Sequence, residues 1–90
     1  MSLTVKEKVA LKAIVHFALE NMGGKKPADL FVDNYSFFDQ SDLAERTTYT
    51  AHEIAGLISS LEGKDVIVHE ENDWALTDTG IKEAVKIWES

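Results

Sequence analysis

Three histidines, His16, His52 and His69, are the side chains of this 90-residue chain best suited to hold a metal, and the chain has no cysteine. None of them pairs with another at the H-x-x-x-H spacing that sets two imidazoles on one helix face, so they read as structural or solvated. His69 beside Glu70 and Glu71 would bind a divalent ion only weakly. Ser59 and Ser60 are adjacent hydroxyls, but no G-x-S-x-G elbow surrounds them to expose a nucleophile. Gly23 to Lys26 reads GGKK, without the early glycine and the closing Ser or Thr of a phosphate loop, and helix-capping glycines account for it. The sixteen carboxylates include no pair that spacing singles out for acid–base work. These residues point away from an enzyme and from any metal or other cofactor.

Charge says more about partners. Nine Lys and Arg against sixteen Asp and Glu leave a net charge of -7. Residues 1–26 hold five bases and two acids, whereas residues 27–77 hold only Arg46 and Lys64 against eleven acids. Such a field repels polyanions at long range, so strong non-specific binding to nucleic acid or anionic lipid is not expected. No apolar run reaches the roughly 18 residues of a membrane span. Lys6, Glu7, Lys8 and Lys12 also break up any signal-peptide core. The expectation is one cytoplasmic domain over residues 1–90, with stability resting on packing alone because no disulfide can form.

The elements that would position these groups follow from periodicity. Thr4 and Glu7 have capping-box spacing, and Val5, Val9, Ala10, Ala13, Ile14, Phe17 and Ala18 recur at three- and four-residue steps. A helix over about 4–22, closed by Gly23 and Gly24, is predicted. Pro27 suits the first position of a short helix running to about Asn34, with Leu30 and Phe31 inward. Tyr35, Phe37 and Phe38 then anchor a loop; with Phe31 they favour core cover over base stacking because Asp29, Asp33 and Asp39 stand among them. Asp39 or Ser41 would cap another short helix through Arg46. Thr50 and Glu53 repeat the capping box ahead of Ile54, Leu57, Ile58 and Leu61, a single apolar stripe. Val66–Val68 and Trp74–Leu76 read as strands of a hairpin about the polar run His69–Asp73. From Asp78, a last helix aligns Ile81, Ala84, Val85 and Trp88. The fold class is mainly α with a small β-hairpin (α+β).

The stretch DLAERTTYTAHEIAGLISSLEGKDVI, Asp42 to Ile67, resembles the two-helix reading head of MarR- or PadR-type regulators of the winged helix-turn-helix superfamily, with Ala44 at the close helix crossing. LTDTG, Leu76 to Gly80, is similar to the L-T-x-x-G pattern where the wing's return strand enters the final helix of these families. The similarity spans about residues 42–85. Thr48 stands where the families usually carry glycine, and the segment between Gly24 and Gln40 is longer than their usual connection. If the turn region folds otherwise, Asp42 to Thr48 is loop and Pro27 to Asn34 is the second helix. The resemblance implies three or four core helices plus a two-stranded wing.

It also implies double-stranded DNA as a partner, with Thr50 to Leu61 as the reading helix. Thr50, His52 and Ser59 would be the base contacts, and Lys6, Lys25, Lys26 and Lys64 the phosphate anchors. The outer face would be Ala51, His52, Gly56, Ser59 and Ser60, with no Arg or Lys to take guanine. The wing offers Glu70, Glu71 and Asp73 where a base would serve DNA, and carboxylates oppose the counterion release that supports most DNA affinity. An alternative is a protein-interaction module in which Glu70, Glu71 and Asp73 dock on a basic protein partner. Trp88 either closes the core or serves a partner interface; terminal helices of such regulators often dimerise, which leaves a homodimer open. The lysines of the first helix and glycine turn would contact a DNA backbone or form a solvated flank.

Overall fold

The computed structural model of the protein describes residues 2–34 and 36–89. The helices are α1 (Val5–Met22), α2 (Gln40–Arg46), α3 (Ala51–Gly63) and α4 (Asp78–Glu89). One antiparallel hairpin, β1 (Ile67–Glu70) and β2 (Asp73–Leu76), lies between α3 and α4 in the chain, and a 3-10 turn, Pro27–Phe31, follows α1. The fold is therefore mainly helical with a two-stranded antiparallel sheet.

Local chemistry sets the helix starts. Thr4 and Glu7 exchange hydrogen bonds at the head of α1: the Glu7 backbone N–H donates to Thr4 Oγ1 and the Thr4 N–H to Glu7 Oε1. Asp39 and Asp42 do the same for α2, and Thr50 and Glu53 for α3. Each exchange satisfies two donors that a helix start leaves bare. α1 ends at Gly23, whose φ of 72° is the left-handed conformation that glycine adopts without strain. Thr77 precedes α4, and its hydroxyl accepts the Gly80 N–H of the first turn at 3.0 Å.

Leu11, Ile14 and Val15 of α1 form one wall of the core, facing Leu43 of α2, Ile54 and Leu61 of α3, Ile67 and Leu76 of the hairpin, and Ile81 of α4. The helix crossing differs from expectation at Ala44, which is exposed; Leu43 is the residue α2 buries. Asp42 to Arg46 is helical, which settles the alternative in which it is loop.

The segment after the 3-10 turn departs most from the sequence reading. The turn stops at Phe31 rather than continuing to Asn34, and Phe31 is 47% exposed, not inward. Beyond it, residues 36–38 run beside β2 instead of looping free. Phe38 and Trp74 trade backbone hydrogen bonds at 2.8 and 2.9 Å. Ser36 Oγ accepts the Leu76 N–H, and Asn34 Nδ2 donates to the Leu76 carbonyl, both at 2.9 Å. The outer edge of β2 is thus occupied, which removes an unpaired strand edge. Of the aromatic anchors, Phe38 is buried, Phe37 is 48% exposed, and Tyr35 lies outside the described residues.

The hairpin is tighter than HEEND suggested. His69, Glu70 and Asp73 belong to its strands, with Glu70 opposite Asp73, so the turn is Glu71 and Asn72 alone. Two-residue hairpin loops favour positive φ, and Glu71 takes it at 56°. Among the described residues no helix is long and apolar enough to cross a membrane.

Candidate functional site

α3 buries Ile54, Ile58 and Leu61 and half-buries Leu57, so its opposite face presents His52, Ala55, Gly56 and Ser59 to solvent. Ala55 completes a face of small side chains. Gly56 sits mid-helix with open space where a Cβ would stand, so nothing inside the molecule calls for glycine there. Two residues expected on this surface are engaged. Thr50 Oγ1 caps the helix through the Glu53 N–H, and Ser60 Oγ turns away to donate to Glu7 Oε2 at 2.5 Å.

The four candidate phosphate anchors divide into two kinds. Lys6 Nζ is 3.0 Å from Glu53 Oε2 and lies over the Tyr49 ring, and Lys64 Nζ is 2.7 Å from Glu7 Oε1. Both are thus ion-paired within the chain, Lys6 in an exposed pair and Lys64 with the buried Glu7. The Lys6–Glu53 hydrogen bond raises the Lys6 pKa, while the Thr50 backbone N–H and then Lys6 hold the Glu53 carboxyl below the usual carboxylate range. Lys25 and Lys26 are exposed, and their backbone N–H groups bind the Asp29 carboxylate, which lowers its pKa. Arg46 is equally committed, making two hydrogen bonds to Glu20 with its guanidinium over Phe17.

Glu7 is 1% exposed, and its surroundings were not legible from spacing. Burial pushes its pKa up, but hydrogen bonds from Lys64, Ser60 and the Thr4 backbone outweigh that and bring it down to about 2. Lys64 also donates to the Ser2 carbonyl at 2.9 Å, so the start of α1 is latched to the end of α3.

At the far end of the hairpin the charge is of one sign. Glu70, Glu71, Asn72 and Asp73, together with the exposed Phe37 ring, line a hollow of about 320 Å³. Among the described residues none of these three carboxylates has a cation within ion-pair distance. The juxtaposition of Phe37 with the tip comes from the 36–38 segment pairing with β2, which the sequence pattern did not signal. The Trp74 ring lies 4.5 Å from that of His69 across the strand pair. Trp88 is half-buried against the core and stacks at a tilt on His16, 4.9 Å between ring centres. The three histidines are not brought together, and among the described residues no group of three His, Asp or Glu side chains could hold a metal ion.

No family model matches the chain, and no curated protein or solved structure is significantly similar to it. Its geometry and chemistry therefore carry the functional reading.

Proposed function

We propose that the chain is a winged-helix domain working as a non-catalytic protein-interaction module, with the hairpin as its wing and the wing tip as a dock for a basic segment of another protein. Support for the architecture comes from element order, the short link from α2 to α3, and the strand-like 36–38 segment lying on β2. The observation that carries the function is the hollow where three carboxylates without ion-pair partners flank the exposed Phe37 ring. A guanidinium or ammonium entering it would meet opposite charge on its rim and an aromatic face in its wall. The same carboxylates near a duplex would lie against phosphates, and the two cations flanking α3, Lys6 and Lys64, are already paired.

A titration with an arginine-rich peptide, followed by amide and indole shifts, tests this reading. The expected result is saturable binding that moves Phe37, Glu71 and Trp74. Replacing Glu70, Glu71 and Asp73 by Gln, Gln and Asn should weaken binding about tenfold, three exposed charges each contributing up to about 1 kcal/mol. The reading fails if mixed duplex DNA binds instead, with affinity falling steeply between about 50 and 200 mM salt.

One observation favours a second reading. Gly56 leaves α3 bare at mid-helix, as close approach to a DNA groove would require, with His52 and Ser59 beside it as hydrogen-bonding groups. In that case the acid-to-amide triple variant gains DNA affinity and loses none.

A further inference from the structure

The outward face of α1 is built differently from the rest of the surface. Val5 is 78% exposed and Val9 40%, and with Lys12 and His16 they follow one another at four-, three- and four-residue steps, in one line about 16 Å long. Lys8 stands beside this line. Among the described residues neither Lys8 nor Lys12 has a carboxylate within ion-pair distance. Glu20, one turn beyond His16, is taken by Arg46, and Glu7 is turned inward. The line ends at a hollow of about 240 Å³ whose walls are Lys12, His16, Ile87 and Trp88. Across the Trp88 ring lies a second hollow of about 140 Å³, walled mainly by Pro27, Ala28 and Val85, with Lys26 and Glu89 at its margin. Exposed aliphatic groups thus alternate with unpaired cations and run into a tryptophan ridge with space on both sides.

We infer that this face, from Val5 to Trp88, is a docking surface for an acidic amphipathic helix of a partner protein. Its apolar side chains, at three- and four-residue steps, would cover Val5 and Val9 and enter the hollows beside Trp88. Its Asp and Glu residues would meet Lys8 and Lys12. The local pattern selects the occupant: phosphates alone would gain nothing from covering the exposed valines, and two valines are too small an apolar face to insert into a bilayer. A helix with both apolar and acidic residues uses the valines and the unpaired lysines together. This surface shares no residue with the wing-tip dock, so either can fail without the other, and with both the molecule bridges a basic and an acidic partner.

The test uses the full chain and two 14-residue helical peptides with leucine at the same three- and four-residue steps, one carrying glutamate elsewhere and the other lysine. The glutamate peptide should shift the Trp88 indole N–H and the Val5 and Val9 methyls and leave the Trp74 indole unmoved. Followed at the Trp88 signal, it should bind at least about tenfold tighter than the lysine peptide, whose binding at the wing tip is read separately at Trp74. Lys8→Glu with Lys12→Glu should reverse that preference, and Val5→Ser with Val9→Ser should weaken both peptides. The peptide comparison on the unaltered chain decides even if a variant folds poorly. Equal binding of the two peptides at the Trp88 signal, no binding of the glutamate peptide up to about 1 mM, or its moving Trp74 in place of Trp88 overturns the inference. So does a stronger response of the same α1 signals to phosphatidylglycerol vesicles or to duplex DNA.

Discussion

The Glu7 carboxylate lies 2.7 Å from the ammonium of Lys64, 57 residues away along the chain, and the pair closes the start of α1 onto the residue that ends α3. Glu7 serves two structures at once. One oxygen accepts the Thr4 backbone N–H of its own helix cap and the Lys64 ammonium, and the other accepts the Ser60 hydroxyl.

Removing the cation should therefore be costly. Lys64→Met leaves a buried carboxylate short of its main partner, and a loss of about 3 kcal/mol is expected, at the lower end for broken buried pairs because Lys64 is a third exposed. Urea denaturation of the variant and of the double variant Glu7→Leu with Lys64→Met checks this. The double variant, which leaves no charge behind, should recover most of the loss.

The same site sets an acid limit. Glu7 takes up its proton at about pH 2 when folded and near its ordinary 4.5 when unfolded, so the unfolded chain binds the proton more readily between these values. The stabilisation is complete above about pH 5 and is lost as pH falls through the folded value. In Glu7→Gln the fall in melting temperature between pH 5 and pH 2.5 should be shallower than in the unaltered chain. Equal slopes would show that Glu7 does not set the limit.

Two glycines should respond in opposite directions to alanine. A Cβ at Gly80 would stand 2.1 Å from the Val66 carbonyl oxygen, a backbone atom that already accepts the Thr77 N–H, so Gly80→Ala should cost about 3 kcal/mol or prevent folding. At Gly56 the space is open, and Gly56→Ala should stabilise the chain by about 0.5–1 kcal/mol, raising the melting temperature by several degrees. A calorimetric scan of each variant reads both signs.

Ser36 is fully buried, and its hydroxyl accepts the Leu76 N–H while donating to Asn34 Oδ1. Ser36→Ala would leave the buried Leu76 N–H without a partner, while Asn34 Oδ1 keeps the Ser36 backbone N–H, and should cost about 2 kcal/mol. Faster amide exchange at Leu76, with α3 amides unchanged, would localise the effect to the segment that seats Phe37 beside the hairpin tip.

Helix and hairpin positions were largely legible because their causes are local. Thr4 with Glu7 and Thr50 with Glu53 announce helix starts within four residues, and Ile54, Ile58 and Leu61 reveal the inward face of α3 by period alone. Ala44 misled because a small residue signals close packing only if its face is turned inward, and α2 turns Leu43 instead. Phe31 and Phe37 misled similarly: hydrophobicity in an aperiodic stretch says that cover would be favourable, not that the backbone can deliver it.

The chain's own residues determined where α1, α3 and α4 begin, and that acid is concentrated in the middle of the sequence, since propensity, capping and charge act within a few positions. Only tertiary structure decided which charges remain available to a partner. Lys6 and Lys64 are paired with Glu53 and Glu7 from other elements, while Glu70, Glu71 and Asp73, beside Phe37, have no ion-pair partner among the described residues. Ion pairs and hollows depend on distances of a few ångströms between segments far apart in sequence, and those distances exist only once the core has packed.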